Sequence, residues 1–158
     1  MRPAAALSAD VAIRPAEPGD VQGLVRIEDA VFPTDRLDRR ALLRSLRSPT
    51  ITVLTAVDGG RPLGYALLHR RRGSAIARLA SLAVAREVAG RGIGRRLLDA
   101  AETSAARDGA ERLRLEVRPD NDAARTLYER AGYRRFDVVE EYYSDGTTAW
   151  RYEKHLTA

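Results

Sequence analysis

The chain reads as an α/β protein, with one mixed sheet carrying helices on both faces. Three observations predict this. Apolar strand patterns at Ile51–Val57 and Pro62–His69 flank Asp58-Gly59-Gly60, a hairpin signal. Two strand-then-helix units follow, Ala75–Val84 with Gly92–Arg107 and Glu111–Val117 with Asp122–Ala131. Neither an internal repeat nor an interdomain linker divides the 158 residues, enough chain for one proper core. Residues 11–158 are therefore expected to form a single domain behind a loose, flexible tail at residues 1–10.

Each element has a local reason. Val11–Pro15 is a short first strand that proline closes. Pro18-Gly19-Asp20 turns the chain, with Asp20 placed as a cap, and Val21, Leu24, Val25, Ile27 and Ala30 recur at helical spacing. Phe32-Pro33-Thr34-Asp35 breaks that helix. A basic helix then runs from Asp38 to Arg47, stopped by Ser48-Pro49. In the later helix Ile93, Leu97, Ala101 and Ala105 share a face, and Gly109 ends it. Leu113, Leu115 and Val117 alternate with Arg112, Arg114 and Glu116, the mark of a half-buried strand. Gly132 ends the last helix. Two final strands, at about Tyr133–Val139 and Thr147–Leu156, flank Tyr142-Tyr143-Ser144-Asp145-Gly146.

Composition removes several classes of function. There is no cysteine, so disulfides, thiolate nucleophiles and zinc–thiolate sites are excluded. His69 and His155 lie far apart and read as surface or edge residues, so no metal is expected. No apolar run approaches the roughly 20 residues that span a bilayer, and the start is too short in its apolar part for a signal peptide. A cytoplasmic protein, monomer or homodimer, is expected. The net charge of +5 raises a nucleic-acid partner. Of the 27 basic residues only Lys154 is lysine, leaving 27 − 1 = 26 arginines, and these are scattered among acids along the whole chain. Nucleic acid is the weaker reading.

The segment Gly90-Arg91-Gly92-Ile93-Gly94-Arg95 follows a strand and opens a helix. A helix N-terminus presents free backbone N–H groups and the positive end of the dipole, and glycines let a phosphate come close. Arg91, Arg95 and Arg96 add cations suited to phosphate. A pyrophosphate is the natural guest. The dinucleotide fingerprint fails, because it needs glycine where Arg95 stands, and the Walker loop fails for want of Gly-Lys-Ser/Thr. A plain glycine-rich turn stays open as the bland alternative.

Ser81-Leu82-Ala83-Val84, five residues, then Gly90 to Leu98 resembles the coenzyme A motif of the GNAT acetyltransferase superfamily. The similarity runs on through Leu115-Glu116-Val117-Arg118, Asn121, Leu127-Tyr128-Glu129 and Gly132-Tyr133, and that combination is similar to the RimI-like branch. The resemblance implies the GNAT acyl-CoA N-acyltransferase fold, its central sheet splayed near Val84 and Glu116. It implies that backbone groups of Leu82, Ala83 and Val84 meet the pantetheine arm of acetyl-CoA. Gly90, Arg91, Gly92, Ile93, Gly94 and Arg95 would cradle the pyrophosphate, and Asn121 would contact the cofactor. The superfamily usually has Gln or Arg where this chain has Ala89, so that side-chain contact is lost.

Acetyl transfer to an amine needs a base, a stabilised carbonyl oxygen and a proton for the leaving thiolate. In the resemblance Glu116 is the general base and Tyr128, twelve residues on, the general acid. Glu116 also reads as a surface carboxylate paired with Arg112, Arg114 or Arg118. Tyr128 fits a half-buried core position, and Asn121 a helix N-cap. Glu28, Phe32, Tyr142 and Tyr143 would line the acceptor cleft, with Glu28 open to the reading of an exposed helix acid. With no cysteine to carry an acyl group, attack is direct. The leading acceptor is a protein N-terminal α-amine; a small-molecule amine and a non-catalytic acyl-CoA-binding module are the rivals. Thr34-Asp35-Arg36 in place of an aromatic, and the basic helix through Arg39, Arg40, Arg44 and Arg47, set this chain apart from ribosomal members.

Overall fold

Period-two alternation and glycine-marked turns lay down seven strands in one sheet, seen in a computed structural model that describes residues 11–156. The expected tail, residues 1–10, lies outside the described residues. In chain order the elements are β1 (Ala12–Pro15), α1 (Val21–Val31), α2 (Arg39–Arg47), β2 (Ile51–Asp58), β3 (Arg61–His69) and β4 (Ile76–Val84). They continue with α3 (Ile93–Arg107), β5 (Arg112–Val117), α4 (Asp122–Arg130), β6 (Arg134–Val139) and β7 (Ala149–His155). The strand order is β1-β2-β3-β4-β5-β7-β6. Only β4 and β5 run parallel, and their crossover is α3.

Strand alternation separates the helical layers. Tyr65 of β3 reaches Glu28 of α1, whereas a Cβ on neighbouring Gly64 would meet Leu97 of α3. Successive strand residues point to opposite faces, so α1 and α3 cover opposite sides of the sheet. The core lies mainly between the sheet and α3, where Leu97, Leu98, Ala101 and Ala105 are wholly buried. Asp38 caps α2 by accepting from Ala41 N at 2.8 Å. Asp20 does not cap α1. Its buried carboxylate turns back to Arg14 at 2.7 Å and to Glu17 N at 2.8 Å, fastening the 3-10 turn at Pro18–Asp20 to β1. Asp58-Gly59-Gly60 forms the expected hairpin, with both glycines at positive φ. No helix of the described residues is long and apolar enough to cross a membrane.

One irregularity shapes the centre of the sheet. Leu67 pairs with Ser81 and Leu68 with Leu79, so Ala80 is an extra residue in β4, a β-bulge. On the other side of β4 the parallel pairing with β5 begins at Ile76–Arg112 and ends at Leu79–Leu115. From Ala80 onward the two strands diverge, and the β5-facing edge of β4 is open.

Gly64 is where backbone and helix come closest. A Cβ there would lie 2.7 Å from the carbonyl oxygen of Ala83 and 3.1 Å from Leu97 Cδ1. Gly64→Ala is expected to destabilise the fold by about 1–3 kcal/mol, as overpacking does. Urea unfolding should show the midpoint falling at an unchanged slope; a midpoint equal to that of the parent chain contradicts the close approach.

Candidate active site

The opening between β4 and β5 is the floor of a cavity of about 800 Å³. Its walls come from the end of α1, the following loop, α2, β3, the open part of β4, the end of β5, the start of α4 and the β6–β7 loop. Leu82, Glu28, Phe32, Glu116, Asn121, Tyr128, Tyr142 and Tyr143 all line it. Residues far apart in sequence are thus brought into one cleft.

Ala66 pairs with Leu82, Tyr65 with Ala83 and Gly64 with Val84, which uses only the β3 side of that stretch. Its other side, past Leu79, offers N–H and C=O groups to a guest. Beyond Val84, the 3-10 turn Arg86–Val88 leads to the glycine loop. Gly90 and Gly92 both hold positive φ, at 79° and 81°, and a Cβ on either would meet nothing within 4 Å. Positive φ is the reason for glycine at these places, and the space above the loop is open. Gly92 caps α3 without any side-chain cap. The first intrahelical bond is donated by Arg96 to Gly92 at 3.1 Å, leaving the N–H groups of Ile93, Gly94 and Arg95 for an anion. A Cβ on Gly94 would make ordinary contacts with Leu127 and Val84, at 3.4 and 3.6 Å, so packing does not demand glycine there. Arg95 is exposed and paired with Asp99 at 3.0 Å, and Arg96 donates to the Val11 carbonyl at 2.9 Å. Ala89, exposed, precedes the loop with no side chain to add.

Glu116 ends β5 on the face opposite Leu115 and Val117, and its side chain is 7% exposed. It is not paired with Arg112, Arg114 or Arg118. Arg112 and Arg114 pair instead with Glu153 on β7, and Arg118 with Asp145. Glu116 Oε1 accepts from Arg78 Nε at 2.7 Å and from the Tyr142 hydroxyl at 2.9 Å. Its Oε2 is buried with no hydrogen bond, 3.9 Å from Arg151 Nε. One carboxylate oxygen is therefore held and the other keeps acceptor capacity.

Tyr128 is 7% exposed, set edge-on to Tyr133 and Tyr152 with ring centroids 5.8 and 6.4 Å away. Burial, with the nearby Tyr143 as a lesser cause, raises its pKa, so the phenol keeps its proton at neutral pH. Its hydroxyl has no hydrogen-bond partner among the described residues. Asn121 is the N-cap of α4, its side chain accepting from Ala124 N at 3.2 Å.

Glu28 is not an exposed helix acid. It is 1% exposed; Oε1 accepts from the Tyr65 and Ser81 hydroxyls, and Oε2 from Leu37 N at 2.8 Å. Burial raises its pKa against the opposing effect of those bonds. Its place in the cleft is to hold the loop after α1 against β3 and β4. The other wall is Tyr142 and Tyr143, set edge-on at 4.9 Å, with Arg118 stacked 4.2 Å over Tyr143. Burial raises the Tyr143 pKa to about 12. Arg118 also donates to Thr34 at 2.6 Å, and Asp35 accepts from the Ser144 hydroxyl at 3.1 Å. Thr34-Asp35 thus ties the two cleft loops together.

The residue pattern gave no role to Arg78, which takes Glu116 and Tyr142 at once. Its signal was the one charge inside the strand Ile76–Val84. His69, directly across from Arg78 on β3, also lines the cleft; partial burial and the Arg78 charge lower its pKa.

Residues 21–133 match the model of the acetyltransferase (GNAT) family. The chain is 36% identical over 127 residues to the N-alpha-acetyltransferase RimI of Mycobacterium tuberculosis, covering 78% of each chain. It is 35% identical over 100 residues to N-alpha-acetyltransferase 30 of Schizosaccharomyces pombe, covering 61% of this chain and 67% of that one. The solved Ard1 of Thermoplasma volcanium superposes with a TM-score of 0.82 at 26% identity, over 94% of this chain and 99% of that one. On these likenesses the chain belongs to the GNAT acetyltransferase family and is an acetyl-CoA-dependent N-acetyltransferase.

Proposed function

We propose that this chain, as one domain over residues 11–158, moves the acetyl group of acetyl-CoA onto a protein N-terminal α-amine by direct attack. The observation that carries the reading is a single cavity joining the open edge of β4, the half-free carboxylate of Glu116 and the unpartnered hydroxyl of Tyr128. The names of the relatives, N-alpha-acetyltransferases, support this kind of acceptor.

The donor would lie with its pyrophosphate on the N–H groups that open α3 and its arm along Leu82, Ala83 and Val84. An N–H of that edge would donate to the thioester carbonyl, whose oxygen gains charge as the amine adds. An α-amine with an ordinary pKa of about 7.7–8.0 is partly protonated at neutral pH. The neutral form of the amine would attack, any excess proton having left to solvent, and Glu116, steadied by Arg78 and Tyr142, would take the proton that the nitrogen sheds as the C–N bond forms. The C–N bond forms, the C–S bond breaks, and the departing sulfur receives the proton of Tyr128. Solvent returns that proton as Glu116 is emptied. The products are the amide and coenzyme A.

Two experiments test these roles. Glu116→Gln and Tyr128→Phe should each lower turnover by roughly 10²–10⁴-fold, the usual worth of a placed acid or base, with acetyl-CoA affinity little changed. Coenzyme A release with both variants near the parent rate would remove the catalytic assignment, and binding of acetyl-CoA by the parent with no release on any amine would favour a binding module. Gly92→Val should weaken acetyl-CoA binding by about tenfold or more, about 1.4 kcal/mol, because it strains a positive-φ position above the phosphate cradle. Its affinity for pantetheine, which lacks the pyrophosphate, should stay near that of the parent. Equal losses for both ligands would refute the loop as cradle. Turnover on small amines alone, in a panel with N-terminal and lysine peptides, would replace the N-terminal reading.

A further inference from the structure

The charges lining the acceptor half of the cleft are unevenly matched. Glu28 is buried and accepts three hydrogen bonds. Asp35 is occupied by Thr34 and Ser144, and Glu116 by Arg78 and Tyr142. Among the cations Arg118 is matched by Asp145. Arg78 uses Nε and Nη2 on Glu116 and Tyr142; Nη1 has no partner among the described residues, and the side chain is 42% exposed. Arg44 of α2 lines the same cleft, is exposed, and has neither an ion pair nor a hydrogen bond among the described residues. The rest of α2 adds to the imbalance, since Arg39-Arg40-Ala41-Leu42-Leu43-Arg44-Ser45-Leu46-Arg47 contains four arginines and no acid. His69, across from Arg78 on β3 and also lining the cleft, has a lowered pKa and stays neutral near pH 7.

A cleft in which Arg44 is unpaired and Arg78, already bridged to Glu116, still keeps a free Nη1 selects against a basic ligand and for an acidic one. Arg78 lies opposite Arg114, where β4 and β5 are still paired, before they part after Leu79, and Arg44 faces the same cleft from α2. A group bound by both would belong to the part of the acceptor that follows the reacting amine. We infer that Arg44 and the free Nη1 of Arg78 select acceptor peptides with Asp or Glu among the first residues after the N-terminal amine. The inference rests on the N-terminal reading above and specifies the class of peptide.

The test uses the full chain, acetyl-CoA and three peptides matched except at positions two to four, which are acidic, neutral or basic. Coenzyme A release gives kcat/KM for each. The acidic peptide should exceed the neutral one by about tenfold at low ionic strength, and the gap should shrink as salt screens it. In Arg44→Glu, an exposed change that the fold can bear, the order should invert in favour of the basic peptide. Equal rates on all three peptides, or an unchanged preference in Arg44→Glu, overturns the inference while leaving N-terminal transfer standing. Release of coenzyme A with small amines but with no peptide overturns both together.

Discussion

The structure depends on one missing set of hydrogen bonds. Parallel strands normally continue their ladder as far as both extend, because an unpaired backbone group away from water costs about as much as a lost hydrogen bond. Here β4 and β5 part after Leu79 and Leu115, although both strands run on. The extra residue Ala80 turns β4 at that point while β3 keeps its pairing on the far side. The fold therefore carries an unfinished edge in its middle, and an extended guest that completes it gains main-chain partners without displacing any. The same parting gives Glu116 and Tyr128 a common cavity, one from the strand that leaves and one from the helix that follows it.

Around that edge, electrostatic closure is nearly complete. Glu116 is held by Arg78, Tyr142 and, more distantly, Arg151. A buried ion pair adds little net stability, because desolvation offsets the attraction; removing one partner is what costs. The arrangement is better understood as positional. Arg78 fixes Oε1, which fixes the orientation of Oε2, and Tyr142 ties both to the β6–β7 loop. Glu28 does the equivalent work on the opposite wall, where Leu37 N, Tyr65 and Ser81 share its two oxygens. Two carboxylates from different elements thus brace the two walls of one cleft.

Much of this was legible in the residues, and the rest was hidden for definite reasons. Local grammar placed the elements: Asp58-Gly59-Gly60 made its hairpin, Ser48-Pro49 stopped the basic helix, and Leu113-Leu115-Val117 made a buried stripe. The glycine loop was legible because positive φ at Gly90 and Gly92 is a one-residue property. Asp20 misled, since a cap signal says that a carboxylate is near a helix start and not which N–H it will meet; Arg14 and Glu17 took it. The partners of Glu116 and Glu28 depend on which strands become neighbours. Arg78 lies 38 residues from Glu116 and Tyr65 lies 37 from Glu28, so no local pattern links them. The bulge at Ala80 has no glycine or proline to announce it.

That division follows the division of labour in the site. The half proposed to take the donor is built from backbone: an open strand edge, a helix N-terminus and two glycines at positive φ. Backbone devices need particular residue types at fixed local spacing, so they leave a mark that a sequence shows directly. The acceptor half is built from side chains on α1, α2, β3, β4, β5 and the β6–β7 loop, converging across the whole fold. An exposed one among them can change without disturbing the ladder proposed to hold the donor. Specificity can therefore shift through exposed positions such as Arg44 while the glycine loop and the open edge of β4 stay as they are.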